Sequence, residues 1–177
     1  DRAIALTPDN AIPWYLKGRS LIDLTRYQEA VPCFDHVLSI DKNCAGAWFR
    51  KGSTLLSLGQ FELSIDALSR AVELKPQNAN GWYDRAIALS ELGRYEEAVV
   101  SYDRAIAINR KYTNAWYDKG VALARLGRDQ DAIQAFENTT AIDPHFLSAF
   151  YDKGLALERL ARYKEALAAF DAALSIN

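Results

Sequence analysis

Apolar and small residues recur along this chain at helical spacing. Trp14, Gly18 and Leu21 mark one segment, and Ala30, Phe34 and Val37 mark the next. At about 100° per residue, positions three and four apart fall on one face, so each set reads as the buried stripe of a helix. The same marks return every 34 residues. With Trp14 as position 4 of a repeat, that position reads Trp14, Trp48, Trp82, Trp116 and Phe150. Position 8 reads Gly18, Gly52, Ala86, Gly120 and Gly154, and position 11 is leucine from Leu21 to Leu157. Gly59, Gly93 and Gly127 at position 15, with Thr25 and Ala161 in the outer repeats, predict a turn. A second helix is expected from near position 18, with Ala30, Ser64, Ala98, Ala132 and Ala166 at position 20 and Phe34, Leu68, Tyr102, Phe136 and Phe170 at position 24.

Aliphatics at positions 21 and 30, such as Val31 with Ile40 and Val99 with Ile108, widen the second helix's apolar stripe to about half its circumference. Such a helix must be covered on two sides, by its own partner and by the first helix of the following repeat, and this makes a solenoid. Pro8, Pro76 and Pro144 at position 32 mark the ends of second helices; Lys42 and Arg110 stand there in two repeats. The organisation expected is a single array: residues 1–10 as the end of a preceding repeat, then repeats at 11–44, 45–78, 79–112, 113–146 and, truncated, 147–177. Both ends look cut, which predicts either a longer array or ends that pack against other copies.

Three departures carry expectations of their own. Pro32, at position 22 inside a second helix, should strain the ladder and kink it locally. Asp129 replaces the aromatic found at position 17 as Tyr27, Phe61, Tyr95 and Tyr163, which should loosen packing there. Position 7 is basic throughout, as Lys17, Lys51, Arg85, Lys119 and Lys153. This column reads better as stems covering apolar surface with their charge in water than as an anion-binding ladder.

Tryptophan, glycine and leucine at positions 4, 8 and 11, followed by alanine and an aromatic or leucine at 20 and 24 and proline at 32, resemble the tetratricopeptide repeat family over essentially the whole chain. The resemblance implies an all-α fold, a right-handed α-solenoid of antiparallel helix pairs, whose concave groove commonly receives an extended peptide. Some members bind the C-terminal carboxylate of chaperones through a Lys/Asn/Arg clamp. The corresponding columns here hold Tyr15, Arg19, Arg50, Asn80 and Asp84, or Phe49, Ser53, Asp84, Asn114 and Asp118, so that clamp is lacking.

The groove columns are therefore the candidate ligand-binding site. Position 5 is an aromatic ladder of Tyr15, Phe49, Tyr83, Tyr117 and Tyr151, suited to recognition and equally to packing between repeats. Position 6 contributes Arg50, Asp84, Asp118 and Asp152 after Leu16, and position 9 contributes Arg19, Ser53, Ile87, Val121 and Leu155. With Asp23, Glu91, Arg125 and Arg159 at position 13, the groove changes sign from net positive in the first two repeats to net negative in the last three. Regular carboxylates beside aromatics would suit a basic peptide. The alternative is that these aspartates complement their helix dipoles.

Charge narrows the partner further. The chain has 21 basic and 23 acidic residues and a net charge of -2, with no basic excess overall, so nucleic acid is not expected. RNA stacking on the position 5 aromatics is the form such binding would take. No apolar run approaches the roughly 20 residues of a membrane span, and DRAIALTPDN lacks a signal peptide's basic and apolar regions. These features predict a cytoplasmic protein without a membrane partner, so the Asn138-Thr139-Thr140 glycosylation triplet is set aside. Cys33 and Cys44 with His36 and His145 form no metal or disulfide pattern. Repetition disperses the carboxylates and brings no nucleophile, base and orienting group together, so neither catalysis nor a cofactor is expected. The reading is a scaffold that binds a protein or peptide segment in the groove. The alternatives are a substrate-recognition or regulatory arm of a larger enzyme, or an end-to-end assembly segment that self-associates.

Overall fold

A computed structural model of the chain describes residues 10–176; the expected repeat end at 1–10 lies, but for Asn10, outside them. The described residues form helices α1 (Ala11–Asp23), α2 (Tyr27–Ile40), α3 (Ala45–Ser57), α4 (Phe61–Leu74), α5 (Ala79–Glu91), α6 (Tyr95–Ile108), α7 (Thr113–Arg125), α8 (Asp129–Ile142), α9 (Leu147–Arg159) and α10 (Tyr163–Ser175). Second helices begin at position 17, one residue before the expected start. The chain divides into two compact units, one ending at Leu92 with α1–α5 and one beginning at Gly93 with α6–α10. Stacked repeats touch only their neighbours, so a mid-chain division is natural to this architecture.

Within each unit, every helix packs on the next, and first helices also touch across the intervening second helix: α1 with α3, α3 with α5, α7 with α9. Position 24 forms the centre of the core, with Phe34, Leu68 and Phe136 fully buried. Position 8 must be small because of it. A Cβ on Gly120 would lie 2.5 Å from the Phe136 ring, and one on Gly52 2.5 Å from Leu68 Cγ. Ser64 stands where other repeats have alanine, and its buried hydroxyl is satisfied by donating to the Gly52 carbonyl at 2.9 Å. Positions 3 and 10, occupied by Ala47, Ala115 and Ala149 and by Thr54, Ala88, Ala122 and Ala156, are also buried, a second small-residue stripe that period reasoning left out.

The position 4 tryptophans have a polar task besides packing. The indoles of Trp48, Trp82 and Trp116 donate to the backbone carbonyls of Lys42, Pro76 and Arg110, at position 32 of the preceding repeat, at 2.9, 2.9 and 3.0 Å. Each repeat thus grips the turn that leads into it.

The turn after each first helix needs a left-handed residue. Gly59, Gly93 and Gly127 have φ near 71°, and Thr25 and Ala161 are forced to 58° and 57°. The amide of the following residue then reaches back to the position 11 carbonyl, as from Gln60 to Leu55 at 2.9 Å and from Arg162 to Leu157 at 2.9 Å, which closes the helix end. A side chain in this conformation costs roughly 1–2 kcal/mol, part of which glycine returns through its freer unfolded chain. Ala161→Gly and Thr25→Gly are each expected to raise stability by about 0.5–1 kcal/mol in urea unfolding; a loss in either would show the turn is not what limits these positions.

Helix α2 runs unbroken through Pro32 and, like α4, α6 and α8, is fourteen residues long. Pro32 lies on the exposed face, where the Gln28 carbonyl deprived of its donor can be solvated.

Candidate functional site

The position 7 bases do more than reach water. Lys51, Lys119 and Lys153 pair with Asp35, Asp103 and Glu137, at position 25 of the preceding repeat, at 2.6, 2.6 and 2.8 Å. Ser69 occupies that place before Arg85 and accepts from its Nε at 2.8 Å. Lys51 and Lys119 also lie 5.5 and 5.3 Å from the centres of the Trp48 and Trp116 rings. These cations stitch successive repeats.

Asp129 is likewise not a loosened contact. It is 8% exposed, and Nε and Nη2 of Arg159, on the following first helix, donate to its Oδ1 at 2.7 and 2.6 Å. An ion pair fills the place of the aromatic. Removing Arg159 strands a nearly buried carboxylate, so Arg159→Ala is expected to cost about 1–3 kcal/mol. Adding Asp129→Phe to that variant should recover part of the loss, and failure to recover would assign the effect to Arg159's own packing.

The first-helix faces gather the groove candidates. In the first unit the Tyr15 ring meets Phe34 edge-on at 5.8 Å, and its hydroxyl approaches Gly46 at the start of the next repeat. The Arg50 guanidinium lies 5.9 Å from the Phe49 ring centre. The Ser53 hydroxyl donates to Asp84 on the neighbouring first helix. Burial pushes the Asp84 carboxyl above its ordinary pKa, opposed by the Ser53 hydroxyl and the Arg50 guanidinium. Arg19 is exposed at the same face; Tyr83 and Ile87 are half-buried there.

In the second unit the Tyr117 ring packs 4.9 Å from Phe146 and 5.9 Å from Phe136, and its hydroxyl donates to Asp152 at 2.7 Å. Burial and then the Asp152 carboxylate push the Tyr117 pKa well up, so the phenol stays a donor at neutral pH. Tyr151 packs on Phe170 at 5.8 Å but is 51% exposed. Asp118 is half-buried. Packing is thus a demonstrated role for Tyr15 and Tyr117.

Asp84, Asp118 and Asp152 stand sixth in their helices, beyond the first turn where a carboxylate couples best to the dipole. Asp84 and Asp152 instead accept hydroxyls from the preceding first helix. The partners lie 31 and 35 residues away, from positions 9 and 5, so no single repeat reveals them.

A cavity of about 480 Å³ opens between α7 and α9, lined by Tyr117, Val121, Ala124, Arg125, Phe136, Asp152, Leu155 and Arg159. It brings together Tyr117, Val121, Asp152 and Leu155 with the position 13 arginines of the groove, and adds the floor provided by Phe136. A larger hollow of about 640 Å³ lies on the other side of α7, between α6 and α8, where Lys119 and Arg128 are already paired with Asp103 and Asp131.

Among the described residues no group of histidine, cysteine and acidic side chains could hold a metal ion, and no helix is long and apolar enough to cross a membrane. Cys33 and Cys44 are free thiols. Helix pairs that bury small and aromatic columns between them and stack on their neighbours define an all-α solenoid of the interaction-scaffold class. Profiles described as tetratricopeptide repeat match residues 15–79 and 131–177, 113–146, and 67–100, and one described as TPR repeat matches 88–127. The chain belongs to the tetratricopeptide repeat family. A solved structure of MamA is 28% identical with a TM-score of 0.88, covering 90% of this chain and 93% of that one. Another, of MamA protein, is 27% identical with a TM-score of 0.91 over 94% and 91%. The fold of YrrB, described as a TPR protein with an unusual peptide-binding site, matches with a TM-score of 0.90 over 99% and 91% at 24% identity. No curated protein sequence gives a significant match.

Proposed function

We propose that this chain is a non-enzymatic scaffold that holds a peptide or protein segment against its first-helix faces. The observation carrying the reading is the cavity between α7 and α9, where apolar Val121, Leu155 and Phe136 lie between polar ends. The description of YrrB, a protein of like fold, speaks of a peptide-binding site and supports the reading at the level of fold. Asp84 in the first unit, and Asp118 and Asp152 in the second, each offer a carboxylate to a basic side chain of a ligand.

The test changes position 9 alone: Ile87→Gln, Val121→Gln and Leu155→Gln together, in a pull-down from lysate with circular dichroism as the folding control. About tenfold weaker retention of specific proteins is expected, equivalent to roughly 1.4 kcal/mol. Undiminished retention by a folded variant overturns the groove reading. Lysine substitution at the three aspartates, leaving affinity for Lys- or Arg-bearing peptides unchanged, would remove the basic preference.

A second reading, self-association, rests on α10. Leu167 and Leu174 are 62% and 74% exposed, and Leu147, Tyr151, Phe170, Ala173 and Leu174 line an apolar hollow of about 370 Å³. Sedimentation of the chain and of Leu174→Glu distinguishes it: a concentration-dependent oligomer abolished by the substitution supports this reading, and a monomer at all concentrations removes it.

A further inference from the structure

We propose that the cavity between α7 and α9 selects a segment carrying a carboxylate beside an apolar residue, with Arg125 as the group that reads the carboxylate. The inference rests on the groove reading above and deepens it. Seven residues separate positions 6 and 13 on α9, so at 1.5 Å per residue the arginine end of the cavity lies about 10 Å from Asp152. Val121, Ala124 and Leu155 line the stretch between.

The two ends differ in what is already taken. Asp152 accepts the Tyr117 hydroxyl at the first. At the second, Arg159 has Nε and Nη2 committed to Asp129, so that charge is compensated. Arg125 is exposed, lines the cavity, and has no hydrogen bond or ion pair among the described residues. Its planar fork of donors matches a carboxylate in two-point fashion. The larger hollow beyond α7 lacks this feature, since its cations are paired. Position 13 is Asp23, Ser57 and Glu91 in the first three repeats, so only in the second unit is this position basic.

The experiment selects random twelve-residue peptides displayed on phage against the intact chain, then measures the enriched peptides by fluorescence polarisation on folded variants. Enrichment of Asp or Glu next to an apolar residue is expected. Arg125→Glu should bind these peptides about tenfold or more weaker, and Arg125→Lys should retain part of the affinity. Peptides that lose affinity with Val121→Gln and Leu155→Gln but keep it with Arg125→Glu overturn this proposal and leave the groove reading standing. Peptides indifferent to all three changes, or no enrichment at all, overturn both.

Discussion

Phe136→Ala is expected to cost about 3–5 kcal/mol, the loss typical of truncating a fully buried aromatic side chain. Phe136 is 0% exposed, and Gly120 is kept free of a side chain to admit its ring. Alanine there leaves a void between α7 and α8, since buried Ala122 and Ala132 on these helices are too short to fill it. At roughly 2–4 °C per kcal/mol for a chain of this size, melting should fall by about 10 °C. Phe136→Leu should cost far less, since leucine occupies the same position as Leu68. Hydrogen exchange would localise the damage: amides in α7, α8 and α9 should lose protection before those of α1–α4, as nearest-neighbour stability requires. A loss below about 1.5 kcal/mol would mean that the site collapses onto itself and that position 24 is not the centre of the repeat.

Phe136 was legible because it belongs to a column. A 34-residue period sorts residues by their place in a repeat, and places that are always apolar or always small announce burial; position 15 announced its turn in the same way. The period is silent on which column of one repeat faces which column of the next. Lys51 was readable as a basic position but its pairing with Asp35 was not, nor was that of Asp129 with Arg159, thirty residues on. Taken within its repeat, Asp129 looks like a defect; beside Arg159 it is half of an ion pair. The carboxylates at position 6 follow the same logic. A single helix suggests a dipole role, whereas the donors to Asp84 and Asp152 come from the first helix of the preceding repeat. The candidate groove, with its position 13 arginines, was correspondingly legible as columns, while the meeting of those arginines with the Phe136 floor required the stacking of α7 on α9.

Pro32→Ala is expected to stabilise the chain by about 2–3 kcal/mol, a large gain for one exposed substitution. Proline in a helix interior is about 3 kcal/mol less favourable than alanine, because it lacks the amide donor and its ring crowds the carbonyl four residues earlier. Pro32 stands sixth in α2, past the first turn where the missing donor would be harmless. Nothing in the packing requires it: the ring faces solvent, while its neighbours Cys33 and Phe34 supply the buried contacts of this repeat. Alanine would restore a bond to the Gln28 carbonyl without entering the core. The gain should appear as a higher urea midpoint with unchanged slope, together with slower exchange of the α2 amides. An unchanged midpoint would mean that α2 bends to accommodate Pro32 and that the core between α1 and α3 has adapted to the bend. In that case alanine would straighten the helix at the expense of the Phe34 and Val37 contacts, and exchange in α1 and α3 would quicken even as α2 slowed.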